Sequence, residues 1–413
     1  MKEYLKKQDI EFSVANMKQL VFEVTDACNL KCKYCAYGEF YNDYDKREDQ
    51  MLSVDKALRL IDLLTEYWMS DKNISTEKII YISFYGGEPL LNMPFVESVV
   101  NYVNGLNGPN YRFGFSMTTN AILLDKYMDF LRLHEFNLLI SLDGNKENTA
   151  YRVDKSGRSA FERIEKNVDK LREKYPDYFE TQVNFNAVLH NKNSVEEIYQ
   201  YFKTKYDKIP SIGELNNSGI QENQKDEFKK AYRNAQESLM QSEHYEKIEQ
   251  EMFIEAPSYR NACLFLHQYS GFVYHDYTDL LFERKDVRHY PTGTCIPFSK
   301  KMFVTVNGKI LPCERIGHQF ALGEITDTNI ELDMQSIADR CNAYFAKFEK
   351  QCGDCKNKAC TQCMFNVEKI DTNPVCYGYM NQNIFNRYFD AQMSFFEKHP
   401  SAYKEILEKV IIE

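Results

Sequence analysis

The sequence predicts an α/β fold with a parallel sheet, followed by a cysteine-rich C-terminal region. Between residues 18 and 205, short runs rich in β-branched and aromatic residues alternate with stretches of helical period, which is the pattern of βαβ units. The links between them are short. The twelve cysteines stand at 28, 32, 35, 263, 295, 313, 341, 352, 355, 360, 363 and 376, with none between 36 and 262. Scattered core thiols would be spread more evenly, so the cysteines mark two regions that use them.

Taken in order, KQLVFEVT (18–25) reads as a buried strand, and the first cysteine follows at once. SVDKALRLIDLLTEYWM has a helical period, with Ser53 placed to cap it and Val54, Leu58, Ile61, Leu64 and Trp68 on one face. Strands are predicted at 78–87, 113–119, 137–142 and 182–189, and helices at 94–103, 124–135 and 160–174. Ligands of such folds gather at the C-terminal ends of strands. That rule collects Cys28, the Gly86-Gly87-Glu88-Pro89 turn, Thr119-Asn120 and Ser141-Leu142-Asp143-Gly144 on one rim.

From about 206 the alternation stops. Residues 221–252 are highly charged with a helical period and read as a solvated helical excursion, and an aromatic segment, YSGFVYHDYTDLLF, follows. FVTVNGKIL reads as a hairpin turning at Asn307-Gly308. The end of the chain, from 381, reads as amphipathic helix. The expected divisions are 1–205, 206–290, 291–385 and 386–413.

Composition excludes some functions. Lys plus Arg number 51 against 61 Asp plus Glu, a formal charge of −10, which argues against a general nucleic-acid binder. No apolar run approaches the ~18 residues a membrane helix needs, and MKEYLKKQDI lacks a signal-peptide core. The expectation is a cytoplasmic protein with no membrane or nucleic-acid partner. A reducing cytosol disfavours structural disulfides, so the cysteines are expected to be metal ligands or free thiols.

CNLKCKYC spaces Cys28, Cys32 and Cys35 as C-x3-C-x2-C. Three thiolates can hold three irons of a 4Fe-4S cubane and leave the fourth open; a remote cysteine completing an iron-sulfur or zinc site is the other reading. QCGDCKNKACTQC adds C-x2-C-x4-C-x2-C at 352, 355, 360 and 363. Zinc is again an alternative there, although zinc ribbons separate their pairs by roughly 15 to 20 residues.

The triad, followed one βα unit later by YGGEP, resembles the radical S-adenosylmethionine superfamily. That resemblance implies a partial (β/α)6 TIM-like barrel over residues 18 to about 205, binding S-adenosylmethionine and one 4Fe-4S cluster. It assigns Gly86, Gly87 and Glu88 to the cofactor's amino group and Ser141 and Arg152 to its carboxylate, with Asn120 and Asn186 as further contacts. Ala36 follows the third cysteine where many members carry an aromatic, which leaves nucleotide packing to Tyr34 or Tyr37. The implied chemistry is a 5′-deoxyadenosyl radical that removes hydrogen from an unactivated C–H bond, with an electron donor such as flavodoxin or ferredoxin.

The C-terminal region is similar to the SPASM domain, which carries two auxiliary 4Fe-4S clusters in peptide-modifying radical enzymes, giving three clusters in all. The hairpin half of that pattern fits, and the second half is one residue shorter at two places. The resemblance implies Cys295, Cys313 and Cys363 for the first auxiliary cluster and Cys352, Cys355, Cys360 and Cys376 for the second. Cys263 and Cys341 remain: either could complete the first set or stay a buried thiol, or the fourth position could be open to a substrate thiolate. Glu314 follows Cys313 where related sulfatase-maturating enzymes carry an acid that acts as base. The function implied is oxidative cross-linking of a ribosomally made precursor peptide through a thioether or carbon-carbon bond; the alternative is formylglycine formation on a protein substrate. With about 20 residues before the first strand, leader-peptide recognition is expected from 206–290.

Overall fold

A computed structural model describes residues 2–75, 79–106, 111–269, 290–357 and 360–410. The chain divides into two bodies, one of Leu5–Arg233 with Cys295–Asp339, the other of Met1–Tyr4, Asn234–Thr294 and Arg340–Glu413.

Among the described residues, the first body holds one ten-stranded sheet. Strands β1 (Gln19–Glu23), β2 (Ile79–Tyr85), β3 (Arg112–Thr119), β4 (Asn137–Ser141), β5 (Val183–Leu189) and β6 (Ser211–Glu214) are parallel neighbours. Helices α1 (Lys7–Ala15), α2 (Val54–Trp68), α3 (Met93–Asn104), α4 (Leu124–Leu133), α5 (Phe161–Lys174), α6 (Pro176–Gln182) and α7 (Val195–Tyr206) accompany them. Each predicted strand is present within a few residues of its expected bounds.

Alternate residues of the strands divide between two faces. One face carries Phe22, Phe84, Ile140 and Phe185, all buried, and meets the helices, as where Phe22 and Phe84 pack edge-on against Phe95 of α3. The other is polar: Glu23, Ser83, Tyr85, Ser116, Thr118, Ser141 and Asn186 alternate with those apolar residues along their strands. Hydroxyl pairs cross it, Ser83 Oγ standing 2.6 Å from Ser116 Oγ. A sheet that is apolar towards its helices and polar on its inner face has a built lining for a polar ligand.

Several expectations need correction. On α2 the buried face is Ala57, Leu60, Ile61, Leu64 and Trp68, so Ala57 and Leu60 replace Val54 and Leu58, and the Ser53 side chain makes no capping bond. β7 (Lys301–Val304) and β8 (Lys309–Leu311) form the expected hairpin, closed by Gly308 N–H donating to Thr305 O at 2.8 Å, with Gly308 at φ +89°. β7 also pairs in parallel with β1, so the hairpin extends the main sheet, which continues through β9 (Gly323–Ile325) to β10 (Ile330–Glu331). The 206–233 stretch belongs to the same body because Phe228 of the helix Lys225–Ala231 packs on Phe40 and Tyr41.

The second body is helical. Its part of 221–252 is not one solvated helix: Ala235–Met240 and Tyr245–Met252 are separate and bury Leu239, Ile248, Glu249 and Met252. They precede the helix Pro257–Tyr269, which packs on Gln382–Lys398 through Phe265 against Phe389. The terminal helix is interrupted before Ala402–Lys409, where Pro400 lacks the N–H a continuous helix needs. Beyond Tyr269 the aromatic segment expected to grip a peptide lies outside the described residues. No helix among the described residues is long and apolar enough to cross a membrane.

Candidate functional site

The loop after β1 carries Cys28, Cys32 and Cys35 and is anchored on both sides. Asp26 accepts from Glu48 N at 2.9 Å and Gln50 N at 2.6 Å. The double glycine meets it from β2, Gly87 N donating to Thr25 O at 2.8 Å and Glu88 N to Ala27 O at 2.9 Å. A Cβ on Gly86 would lie 2.3 Å from Thr25 O, and one on Gly87 2.0 Å from Ala27 O. The glycines are therefore required first by the chain itself, because only without side chains can this turn press on the cysteine loop.

Glu88 is buried and its carboxylate accepts from Leu90 N at 3.1 Å, Thr119 Oγ1 at 2.7 Å and Asn120 N at 2.8 Å. Burial pushes it up to about 7. Asn120 in turn donates to Asn29 Oδ1 at 2.8 Å and lies 3.7 Å from Cys28 Sγ. Ser141 and Asn186 are register partners at the ends of β4 and β5, both half-buried on the inner face.

Arg152 is already engaged within the chain. Its fork grips Asp143, Nε at 3.0 Å and Nη2 at 2.9 Å, both residues being buried. The two-bond grip is thus made within the chain, and an external carboxylate would meet the remaining Nη1 edge. Asp143 also accepts from Val188 N at 2.9 Å and from the Tyr34 hydroxyl. Burial alone would raise Asp143, but Arg152, His190 and the Tyr34 hydroxyl hold it down to about 2. Tyr34 stacks on His190 with centroids 5.7 Å apart, and Tyr37 lies under Arg47 and against Tyr44. Both rings proposed for nucleotide packing already have protein partners.

The three thiols are close enough to act on one another. Cys32 feels Cys28 and Cys35, and Cys28 feels Cys35, while burial pushes the first two up to about 12 and about 11. A cationic centre would offset that and draw off the protons. Donors already face the sulfurs: Leu30 N lies 3.4 Å from Cys28 Sγ and Arg47 Nη2 3.3 Å from Cys35 Sγ. This donor set fits an iron-sulfur cluster. A cleft of about 620 Å³ opens beside Cys28, lined among others by Asn29, Met51, Leu91 and Lys155.

Residues 22–204 match the family model described as the Radical SAM superfamily. They form a radical SAM domain. Curated relatives of the chain include a cysteine-type anaerobic sulfatase-maturating enzyme of Clostridium novyi, 28% identical over 46% of this chain and 48% of that protein. Another is the radical SAM cyclopropyl synthase TigE of Paramaledivibacter caminithermalis, 26% identical over 42% of this chain and 35% of that one. The chain spans about half the length, or less, of these curated relatives. A solved anSMEcpe structure with bound AdoMet superposes over 95% of this chain and 100% of its own, with TM-score 0.62 at 18% identity, a likeness of fold.

Around the radical SAM domain's inner face stand residues that sequence reasoning missed. Glu23, buried at the end of β1, accepts from the Tyr37 hydroxyl and from Val306 N at 2.9 Å, and burial raises it to about 7. A carboxylate inside an otherwise apolar strand was an available signal. Beside it in register is Tyr85, whose phenol is pushed up by burial and then by Glu314, Cys35, Tyr44 and Glu23 in that order. Glu314 is anchored to β7, the strand beside β1. Lys301 Nζ is 3.2 Å from its carboxylate; burial opposes ionisation, and this ammonium still holds Glu314 below the usual carboxylate range.

Of the C-terminal cysteines, Cys352, Cys355, Cys360 and Cys376 lie in the second body and act on one another's thiols. Backbone N–H groups face them, Thr292 N at 3.3 Å from Cys352 Sγ and Asn357 N and Met380 N each at 3.4 Å from Cys355 Sγ. Cys363 belongs to that body, whereas Cys295 and Cys313 belong to the first. Cys263 and Cys341 are buried in helices of the second body, and no other cysteine is among the groups acting on their thiols. No disulfide joins any of the twelve, and among the described residues no three His, Cys, Asp or Glu are arranged to hold a single metal ion.

Proposed function

We propose that this chain is a peptide maturase that removes hydrogen from a ribosomally synthesised precursor and installs an oxidative cross-link, a thioether or a carbon-carbon bond. When bound, the clusters and S-adenosylmethionine supply a 5′-deoxyadenosyl radical and a sink for the second electron. Cys28, Cys32 and Cys35 hold the radical cluster, and Cys352, Cys355, Cys360 and Cys376 an auxiliary one. The Gly86-Gly87-Glu88 turn, Asn120, Ser141, Asn186 and the free edge of Arg152 orient S-adenosylmethionine on the inner face. Glu314, kept ionised by Lys301, accepts the proton released as the product is oxidised. A flavodoxin or ferredoxin provides the first electron.

The observation that carries this reading is the ion pair of Glu314 with Lys301 of β7, the strand that pairs with β1 and so lies beside the strand leading into the cysteine loop. A base in the neighbourhood of the radical centre has no use in a simple electron carrier. The test is anaerobic reconstitution with short cysteine-bearing peptides, taken from the neighbourhood of the gene where any are encoded there, followed by mass spectrometry. Loss of two hydrogens per cross-link is expected. An aldehyde on a Cys or Ser of a protein substrate would instead favour formylglycine formation, the second reading, towards which the sulfatase-maturating relatives point.

A further inference from the structure

We infer that Arg47 sets the reduction potential of the cluster held by Cys28, Cys32 and Cys35, acting as a positioning residue through the sulfur of Cys35. The inference rests on the proposed assignment of that triad to a cluster. Arg47 Nη2 lies 3.3 Å from Cys35 Sγ, a charge-assisted N–H···S bond to a sulfur that is an anionic ligand once metal is bound. Such bonds withdraw charge from the sulfur and stabilise the reduced, more negative cluster, which raises its potential.

The contact is held from two directions. Asp49, at φ +56°, carries the chain around Asp26, whose carboxylate receives Glu48 N and Gln50 N. The guanidinium carbon stands 4.3 Å over the Tyr37 ring, and the Tyr37 hydroxyl is tied to Glu23, itself tied to Val306 N. The Nε atom of Arg47 is buried and has no hydrogen-bond partner among the described residues. A surface arginine serving only solubility would not leave a donor unsatisfied; its position follows from the sulfur and the ring. The three sulfurs are also served differently: Cys28 by Leu30 N and the Asn120 amide, Cys35 by a cation, and Cys32 by the nearby charge of Arg152, already paired with Asp143.

The experiment is a potentiometric titration of the anaerobically reconstituted full chain, followed by electron paramagnetic resonance. The radical cluster is identified as the signal that S-adenosylmethionine changes. Arg47→Met is expected to lower that cluster's midpoint by about tenfold in the reduction equilibrium, about 59 mV for one electron. Arg47→Lys, which keeps the charge without the fork, is expected to shift less in the same direction. Unchanged midpoints at full iron content overturn the inference. Loss of iron from both variants overturns it as well, because the arginine is then a structural support. A wild-type protein with iron but no signal responsive to S-adenosylmethionine overturns the radical-site assignment itself, and the inference with it.

Discussion

Two carboxylates, the buried Glu23 and the half-buried Glu314, are prepared for opposite work. Glu314 is held ionised by Lys301 despite its burial, so Glu314→Gln keeps the volume and removes the proton acceptor. Cleavage of S-adenosylmethionine should persist near the wild-type rate, while cross-linked product falls by about 10²-fold or more; unchanged product would remove Glu314 from the mechanism. Among the described residues Glu23 has no cation in hydrogen-bond contact, and burial raises it from 4.5 to about 7. Its folded-state value exceeds the unfolded one, so its contribution to stability is complete below about pH 4.5 and is lost as pH rises to about 7. The loss amounts to about 3 kcal/mol for Glu23 at the rate of ~1.4 kcal/mol per tenfold. Glu88 titrates in the same window. Denaturation midpoints measured between pH 5 and 8 should therefore decline, and Glu23→Gln should remove roughly half of that decline. The cysteines, glycines and Glu314 were legible as residues because their chemistry is local in sequence. The Arg152–Asp143 pair and the Arg47–Cys35 contact were not, since a fork finds its carboxylate or sulfur only after a loop has closed.

Among the elements, the turn between β2 and α3 is the one whose sequence has least freedom. Gly87 touches the backbone just ahead of Cys28, and an added Cβ would stand 2.0 Å from Ala27 O. The obstacle is backbone, which cannot swing aside as a flexible side chain would. Gly87→Ala must displace the cysteine loop, and the expected result is iron content falling by about four atoms per chain, the equivalent of one cubane, with Cys352, Cys355, Cys360 and Cys376 still loaded. Full iron content in this variant would show that the turn yields without moving the cysteines. The strands were legible at this scale because β-branched and aromatic residues alternate over each of them. The parallel pairing of β7 with β1 was not, since pairing across more than 270 residues leaves no local trace, and the NG turn announced only the hairpin. The helices of 221–252 misled for a related reason: charge dominates their composition, yet Phe228, Leu239, Ile248 and Met252 suffice to bury one side of each.

At the scale of the whole chain, the cysteines partition between two separately packed bodies, Cys28, Cys32 and Cys35 in the first and Cys352, Cys355, Cys360 and Cys376 in the second. Each set gathers its own backbone N–H donors, from Leu30 for the first and from Thr292, Asn357 and Met380 for the second. Neither set draws these donors from the other body, so the two should load independently. Replacing Cys352, Cys355, Cys360 and Cys376 together by alanine should remove about four irons and leave a cluster whose electron paramagnetic resonance signal still changes with S-adenosylmethionine. Replacing Cys28, Cys32 and Cys35 should remove a similar number and abolish that response, with the remaining signal unaffected by S-adenosylmethionine. Cleavage of S-adenosylmethionine should survive the first set of changes and fail after the second, while under the proposed reaction cross-linking should fail after both, because that reaction needs a second electron sink. If either replacement empties the chain of iron altogether, the two sets are not independent.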